Sequence, residues 1–138
     1  LTDVTGVQTC ALPILAVGAA AAGFYPVIAV IGDSTFLHSG VTPLMDAASA
    51  NSDMTLIILD NETVGMTGGQ PTVLPSSRLE TIVKGVGVDP DHLQIIEAHR
   101  KYAEKNTEIL RREVSHHGLS VIIAVRECLE TAKRSKKG

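Results

Sequence analysis

The spacing of four short, unbroken apolar runs constrains this chain more than any other feature. They read PVIAVIGD from Pro26, MTLIILD from Met54, LQIIEA from Leu93 and LSVIIAV from Leu119. Runs of β-branched residues without polar alternation are the mark of strands buried on both faces. The segments between them carry helical periodicity. Such an alternation predicts an α/β fold, an open and mostly parallel sheet with helices on both faces. The chain has 138 residues, the length of one domain with one ordinary core. With no Trp, two Tyr and two Phe, that core has to be built from Val, Ile, Leu and Ala.

The intervening segments predict the helices. LAVGAAAAGF from Leu15 reads as a closely packed helix ending near Gly23. Thr42-Pro43 offers a cap and a first-turn proline for a helix through Asn51, with Leu44, Ala47 and Ala48 inward. Ser77 and Glu80 form a capping box ahead of Leu79, Ile82, Val83 and Val86. Tyr102 to His117 predicts a charged helix with Ala103, Leu110 and Val114 on one side, stopped by Gly118. Arg126 to Lys133 starts a last helix, and the tail KRSKKG is a solvated linker. Ahead of all this, VTGVQTCALPI (Val4 to Ile14) resembles a translated sequencing adapter. Residues 1–14 are therefore read as a non-native leader, with an ordinary N-terminal loop as the alternative. The domain is expected over 15–133, and 134–138 as the start of a truncated extension.

Bulk properties exclude several function classes. A formal charge of −3 gives no electrostatic footprint for nucleic acid. Two distant cysteines, Cys10 and Cys128, give no disulfide framework, so a reducing cytoplasm is the expected setting. No apolar run is long enough and free enough of turn residues to span a membrane.

In open parallel sheets, ligands bind beyond the carboxyl ends of the strands. Two segments fall there: GDSTFLHSG after the first strand and DNETVGMTGGQP after the second. Both are rich in Gly, Ser, Thr, Asp and Asn. A diphosphate needs a hard cation and backbone donors, and magnesium wants oxygen ligands shared between one or two side chains and the phosphates. Asp33 can supply a carboxylate oxygen, Asn61 an amide oxygen, and Thr63 a backbone carbonyl. Glycines at 32, 40, 65, 68 and 69 let the backbone come close to phosphate. A helix starting near Gly40 to Thr42 is expected to aim its first N–H groups at the anion.

Gly32-Asp33-Ser34 followed by Asn61 resembles the metal–diphosphate motif of thiamine-diphosphate enzymes, with Ser34 in place of the usual second Gly and a single Asn. The wording GDSTFLHSG and ILDNETVGMTGGQP is similar, from about Pro26 to Cys128, to the 2-oxoacid:ferredoxin oxidoreductases, on the indolepyruvate large-subunit branch. The resemblance implies magnesium held by Asp33, Asn61 and the carbonyl of Thr63. It also implies thiamine diphosphate bordered by Gly32, Asp33, Ser34, Thr35, His38, Gly40, Asn61, Val64, Met66 and Thr67. The implied reaction is oxidative decarboxylation of an arylpyruvate with CoA, passing electrons to ferredoxin. A small partner subunit, an upstream domain that activates thiamine, and iron–sulfur clusters held elsewhere are implied too. Clusters need about four cysteines, which this chain lacks. Without that upstream domain, the isolated chain is expected to bind the cofactor weakly, if at all, and not to turn over.

Rival readings exist. A GDS-type serine hydrolase would use Ser34 with Asp89 and His92, which have the right mutual spacing. Asp89-Pro90, however, precedes the third strand and belongs at the other edge of the sheet. A non-oxidative thiamine-dependent decarboxylase keeps the cofactor and drops the electron transfer. A non-catalytic nucleotide-binding module is the third. Among single residues, His38 is placed either near the thiamine ring or as a loop hydrogen-bonder. His92, His99, His116 and His117 read as surface groups, the last two closing a helix. Cys128 reads as a small buried residue, and Glu62 has no assigned role.

Overall fold

The computed structural model describes residues 11–61, 63–64, 70–71 and 76–126. In chain order the elements are α1 (Leu12–Ala21), β1 (Val27–Gly32), α2 (Asp33–Thr35), a π-helical turn (Phe36–Gly40) and α3 (Val41–Ala50). There follow β2 (Met54–Asp60), β3 (Thr63–Val64), β4 (Gln70–Pro71), α4 (Ser76–Val86), β5 (Leu93–Glu97), α5 (Ala103–Val114) and β6 (Leu119–Val125). Short 3-10 turns at Pro90–His92 and Arg100–Tyr102 precede β5 and α5.

All four apolar runs form strands, and they pair in parallel in the order β1-β2-β6-β5. Helices cover both faces, as the alternation predicts. On one face α1, α3 and α4 pack over a core that includes Ala29, Ile31, Phe36, Leu44, Leu56, Ile58, Val83, Val121 and Ile123. On the other, α5 covers a smaller group of Ile96, Ile122 and Ala124, with Ile57, Ile109 and Leu110 against it. Leu56, Ile58 and Val121 are fully buried, and each such side chain contributes about 1.5–3 kcal/mol relative to exposure. The edge strand β1 departs from the two-face burial its composition suggests. Ala29 and Ile31 are inside, whereas Ile28 and Val30 are exposed, because α5 packs on β2, β5 and β6.

The helices differ from expectation in instructive ways. α1 starts at Leu12, three residues ahead of Leu15, with Pro13 in its first turn and buried. Proline suits that place because the first helical N–H groups have no partner anyway. The helix expected from Thr42 is already under way there. Residues 33–50 are helical throughout, and no side-chain cap marks Val41. Pro43 cannot donate to the carbonyl four residues back. That carbonyl belongs to Ser39, inside the π turn, so the widened turn lies where the bond is missing.

α5 ends at Val114, short of His117, and Ala103 is exposed. Its most buried residue is a charge, Glu113. Arg112 donates to Oε1 from Nε at 3.0 Å and from Nη2 at 2.8 Å. Ser120 Oγ donates to Oε2 at 3.0 Å, and His92 Nδ1 lies 2.9 Å from the same oxygen. Burial alone would raise the Glu113 carboxyl; these bonds overcome it and hold the group below the ordinary carboxylate range. Gly118 ends no helix but opens β6 at φ +125. A Cβ there would meet His116 Nε2 at 2.9 Å and Asn51 Oδ1 at 3.0 Å. Asn51, itself left-handed at φ 44, accepts the Leu119 N–H through Oδ1 at 3.2 Å. The last helix, from Arg126, lies outside the described residues apart from Arg126 itself.

Candidate functional site

The parallel register brings the chemistry-bearing segments to one end of the sheet. Ile31 pairs with Ile58 and Gly32 with Leu59, so Asp33 and Asp60 are the next residues on adjacent strands and Asn61 follows by one. On the other side Asp60 pairs with Val125, and the Arg126 N–H donates to the Asp60 carbonyl at 2.7 Å. The tips of β1, β2 and β6 therefore stand side by side.

Asp33 heads the helical run directly from the strand tip and is only 7% exposed. Burial raises its carboxyl above the ordinary value, the Ser34 N–H hydrogen bond works the other way, and the charge of Asp60 raises it again. Asp60 is buried at 2% exposure. Asn61 is half-buried. Ser34 and Thr35 are half-buried in the first helical turn, while His38 and Ser39 are exposed on the π turn. Ser39 Oγ donates to the Thr35 carbonyl at 3.1 Å. Thr63 and Val64 form a two-residue antiparallel ladder with Gln70 and Pro71, pairing Thr63 with Pro71 and Val64 with Gln70. Met66, Thr67, the glycines at 65, 68 and 69, Glu62, Cys10 and Cys128 lie outside the described residues.

Two expectations change. The helix end nearest the strand tips belongs to Asp33, not to Gly40–Thr42, so first-turn N–H groups come from residues 33–35 and not from the following turns. Gly40 also has a packing role. It is buried, and a Cβ there would lie 2.6 Å from Phe36 Cδ2 and 3.4 Å from Ile31 Cδ1. Its role is to let the π turn close on the Phe36 ring. At Gly32, by contrast, a Cβ would meet nothing within 4 Å, which leaves open space at the strand tip.

The hydrolase constellation does not assemble. Asp89 and His92 precede β5, whereas Ser34 follows β1, and the strands are parallel, so the groups lie at opposite ends of the sheet. His92 is engaged with Glu113 and stacks on His116 with ring centroids 3.5 Å apart. It is a structural member of that network and not the plain surface group its sequence context suggests. His117 stacks on Tyr25 at 4.3 Å and approaches Asp53 at 3.5 Å.

The donor set at the strand tips is hard: carboxylate, amide and backbone carbonyl oxygens. Among the described residues no group of three or more His, Cys, Asp or Glu is arranged around an ion. A magnesium site needs only one or two protein side chains, and an aspartate whose charged form is disfavoured by its burial, and next by a second carboxylate, is the environment a divalent cation would relieve. The residues fit such an ion. Among the described residues no helix is long and apolar enough to cross a membrane.

The chain is similar to several known proteins. The chain is 36% identical over 121 residues to the indolepyruvate oxidoreductase subunit IorA of Archaeoglobus fulgidus, covering 80% of this chain and 19% of that subunit. It is 32% identical over 124 residues to the IorA subunit of Methanothermobacter marburgensis, again 19% of the relative. The chain thus spans about a fifth of the length of these relatives. By structure it is similar to a 2-oxoglutarate:ferredoxin oxidoreductase from Magnetococcus marinus with 2-oxoglutarate, coenzyme A and succinyl-CoA bound. That likeness has a TM-score of 0.69 at 16% identity, over 94% of this chain and 50% of that one. It is also similar to the thiamine diphosphate-dependent 4-hydroxybenzoylformate decarboxylase of Rhodococcus jostii RHA1, with a TM-score of 0.63 at 22% identity over 83% and 22%. These two establish likeness of fold. The family model described as thiamine pyrophosphate enzyme, C-terminal TPP binding domain, matches residues 4–124. The chain belongs to that family of thiamine pyrophosphate-binding domains.

Proposed function

We propose that the chain holds magnesium–thiamine diphosphate for an enzyme that oxidatively decarboxylates an arylpyruvate such as indolepyruvate, using CoA and ferredoxin and working with a smaller partner subunit. The observation that carries the cofactor assignment is the adjacency of the β1 and β2 tips, with buried Asp33 beside the segment that ends in Asn61. Asp33, Asn61 and the Thr63 carbonyl would hold the cation. Gly32, Ser34 and Thr35 would hold the diphosphate, through the open space at Gly32 and the N–H groups of the first helical turn. Val64, Met66 and Thr67 would border the cofactor. His38 is assigned to its ring side, being the imidazole of the segment that opens at Asp33. When bound, thiamine diphosphate supplies the carbanion stabilisation that decarboxylation of a 2-oxoacid requires. The protein's part is to fix the cation, orient the diphosphate and exclude water. The substrate and the electron acceptor are supported by what the similar oxidoreductases are named for.

Calorimetric titration of the full-length enzyme with Mg2+ and thiamine diphosphate tests the site. Asp33→Ala and Asn61→Ala are each expected to weaken binding by more than the roughly 10–100-fold typical of outer-shell changes. Unchanged affinity in both would overturn the assignment. The likeness in fold to a 4-hydroxybenzoylformate decarboxylase favours a second reading, non-oxidative decarboxylation. In the assembled enzyme, carbon dioxide released without reduction of ferredoxin would select it.

A further inference from the structure

The helical run that follows β1 is irregular at one place, the five-residue π turn Phe36–Gly40, which opens three residues after Asp33. Such turns are rare, and where they occur they are frequently at functional sites. Two residues hold this one open. Gly40 is buried against the Phe36 ring, so close that a Cβ would lie 2.6 Å from Cδ2, and Phe36 is itself fully buried. Pro43, also buried, has no N–H to give the Ser39 carbonyl. Within the turn, Ser39 directs its hydroxyl back to the Thr35 carbonyl at 3.1 Å. His38 is then the exposed side chain of the turn with ring nitrogens to offer. In a regular helix His38, five residues after Asp33, would stand roughly 140° round the axis from it. A π turn spreads each turn over more residues and rotates less at each one, which brings His38 back toward the side that Asp33 occupies.

We propose that Gly40 and Pro43 are positioning residues for His38: they keep the π turn wide, and its width aims the imidazole toward the cofactor ground beyond the strand tips. This rests on the cofactor reading above and extends it to residues that act through His38. Each contributes by something it lacks, a side chain at Gly40 and a backbone donor at Pro43. With both supplied, the run from Asp33 could wind as a plain α-helix, and His38 would turn away from the site.

Acylation of His38 by diethyl pyrocarbonate, followed by peptide mass spectrometry in the full-length enzyme, reports where the imidazole stands. In the wild type, loading with Mg2+ and thiamine diphosphate is expected to slow this reaction. Pro43→Ala returns a donor to the Ser39 carbonyl and lets the turn relax. Deuterium exchange across residues 36–44 should then slow, and the cofactor should protect His38 less. Cofactor affinity, read by calorimetry, should drop about 2- to 10-fold, the effect of losing one hydrogen bond. A proline that serves packing alone predicts a changed melting temperature with protection and affinity kept, and that result overturns the proposal. So does an exchange pattern in Pro43→Ala that matches the wild type. Pro43→Val restores the same N–H without opening a cavity and covers the case in which Pro43→Ala does not fold. The wild-type enzyme separates the two layers. If it binds neither Mg2+ nor thiamine diphosphate, the cofactor reading falls. If it binds both and His38 reacts equally fast with and without them, only the role of the turn falls.

Discussion

Two buried carboxylates, Asp33 and Glu113, show opposite answers to one problem. Glu113 is surrounded by donors from Arg112, Ser120 and His92, so its charged form is favoured in the fold and its carboxyl lies below the ordinary value of 4.5. A group with a depressed folded value stabilises the protein above its unfolded value, and that stability drains away as pH falls through the folded value. Thermal melts from neutral pH down through the carboxylate range are therefore expected to show an acid-side loss in the wild type. In Glu113→Gln that slope should flatten, with a cost at neutral pH of about 1.5–3 kcal/mol from the lost charged hydrogen bonds. An unchanged acid slope would show that Glu113 is not the group responsible. At Asp33 burial raises the carboxyl, and the hydrogen bonds from the Ser34 N–H and from its own do not offset it. The placement of Asp33 and Asn61 at neighbouring strand tips was legible in the sequence, because each lies at the end of an apolar run. The burial of Asp60 was not, since a polar residue ending a strand looks like an ordinary boundary. Glu113 was hidden too: a Glu in a helix of alternating charge reads as solvent-facing, and its partners at 92 and 120 come from other elements.

At the scale of elements, the four strands could be read directly because unbroken β-branched runs have few other uses in a chain this poor in aromatics. The helix after β1 could not. Thr42-Pro43 imitates a start signal, while the true start at Asp33 has no side-chain cap and passes through a π turn that no periodicity announces. That turn depends on a missing side chain. Gly40→Ala would push a methyl to 2.6 Å from the Phe36 ring, and Phe36 is fully buried. Overpacking of this kind is expected to cost about 1–3 kcal/mol in chemical denaturation. Gly32→Ala has open space and a φ of −76, so the unliganded fold should tolerate it within about 1 kcal/mol. Equal losses from the two substitutions would contradict the division between a glycine needed for packing and one with open space around it.

For the molecule as a whole, what matters is which strand carries which half of the proposed site. Asp33 leaves β1, at the rim of the sheet, with Ile28 and Val30 exposed on one side. Asn61 leaves β2, which is paired on both sides and lies over the larger core. Local opening takes the least free energy where few buried contacts hold a segment. In deuterium exchange, amides of 27–32 should therefore trade protons sooner than those of 54–60 in the ligand-free chain. A ligand bridging the two tips would slow the rim far more than the interior, since the interior is already guarded. The outer strand would then act as the hinged side of a clasp and the inner one as its fixed side, so that loading and unloading would not require the core to open.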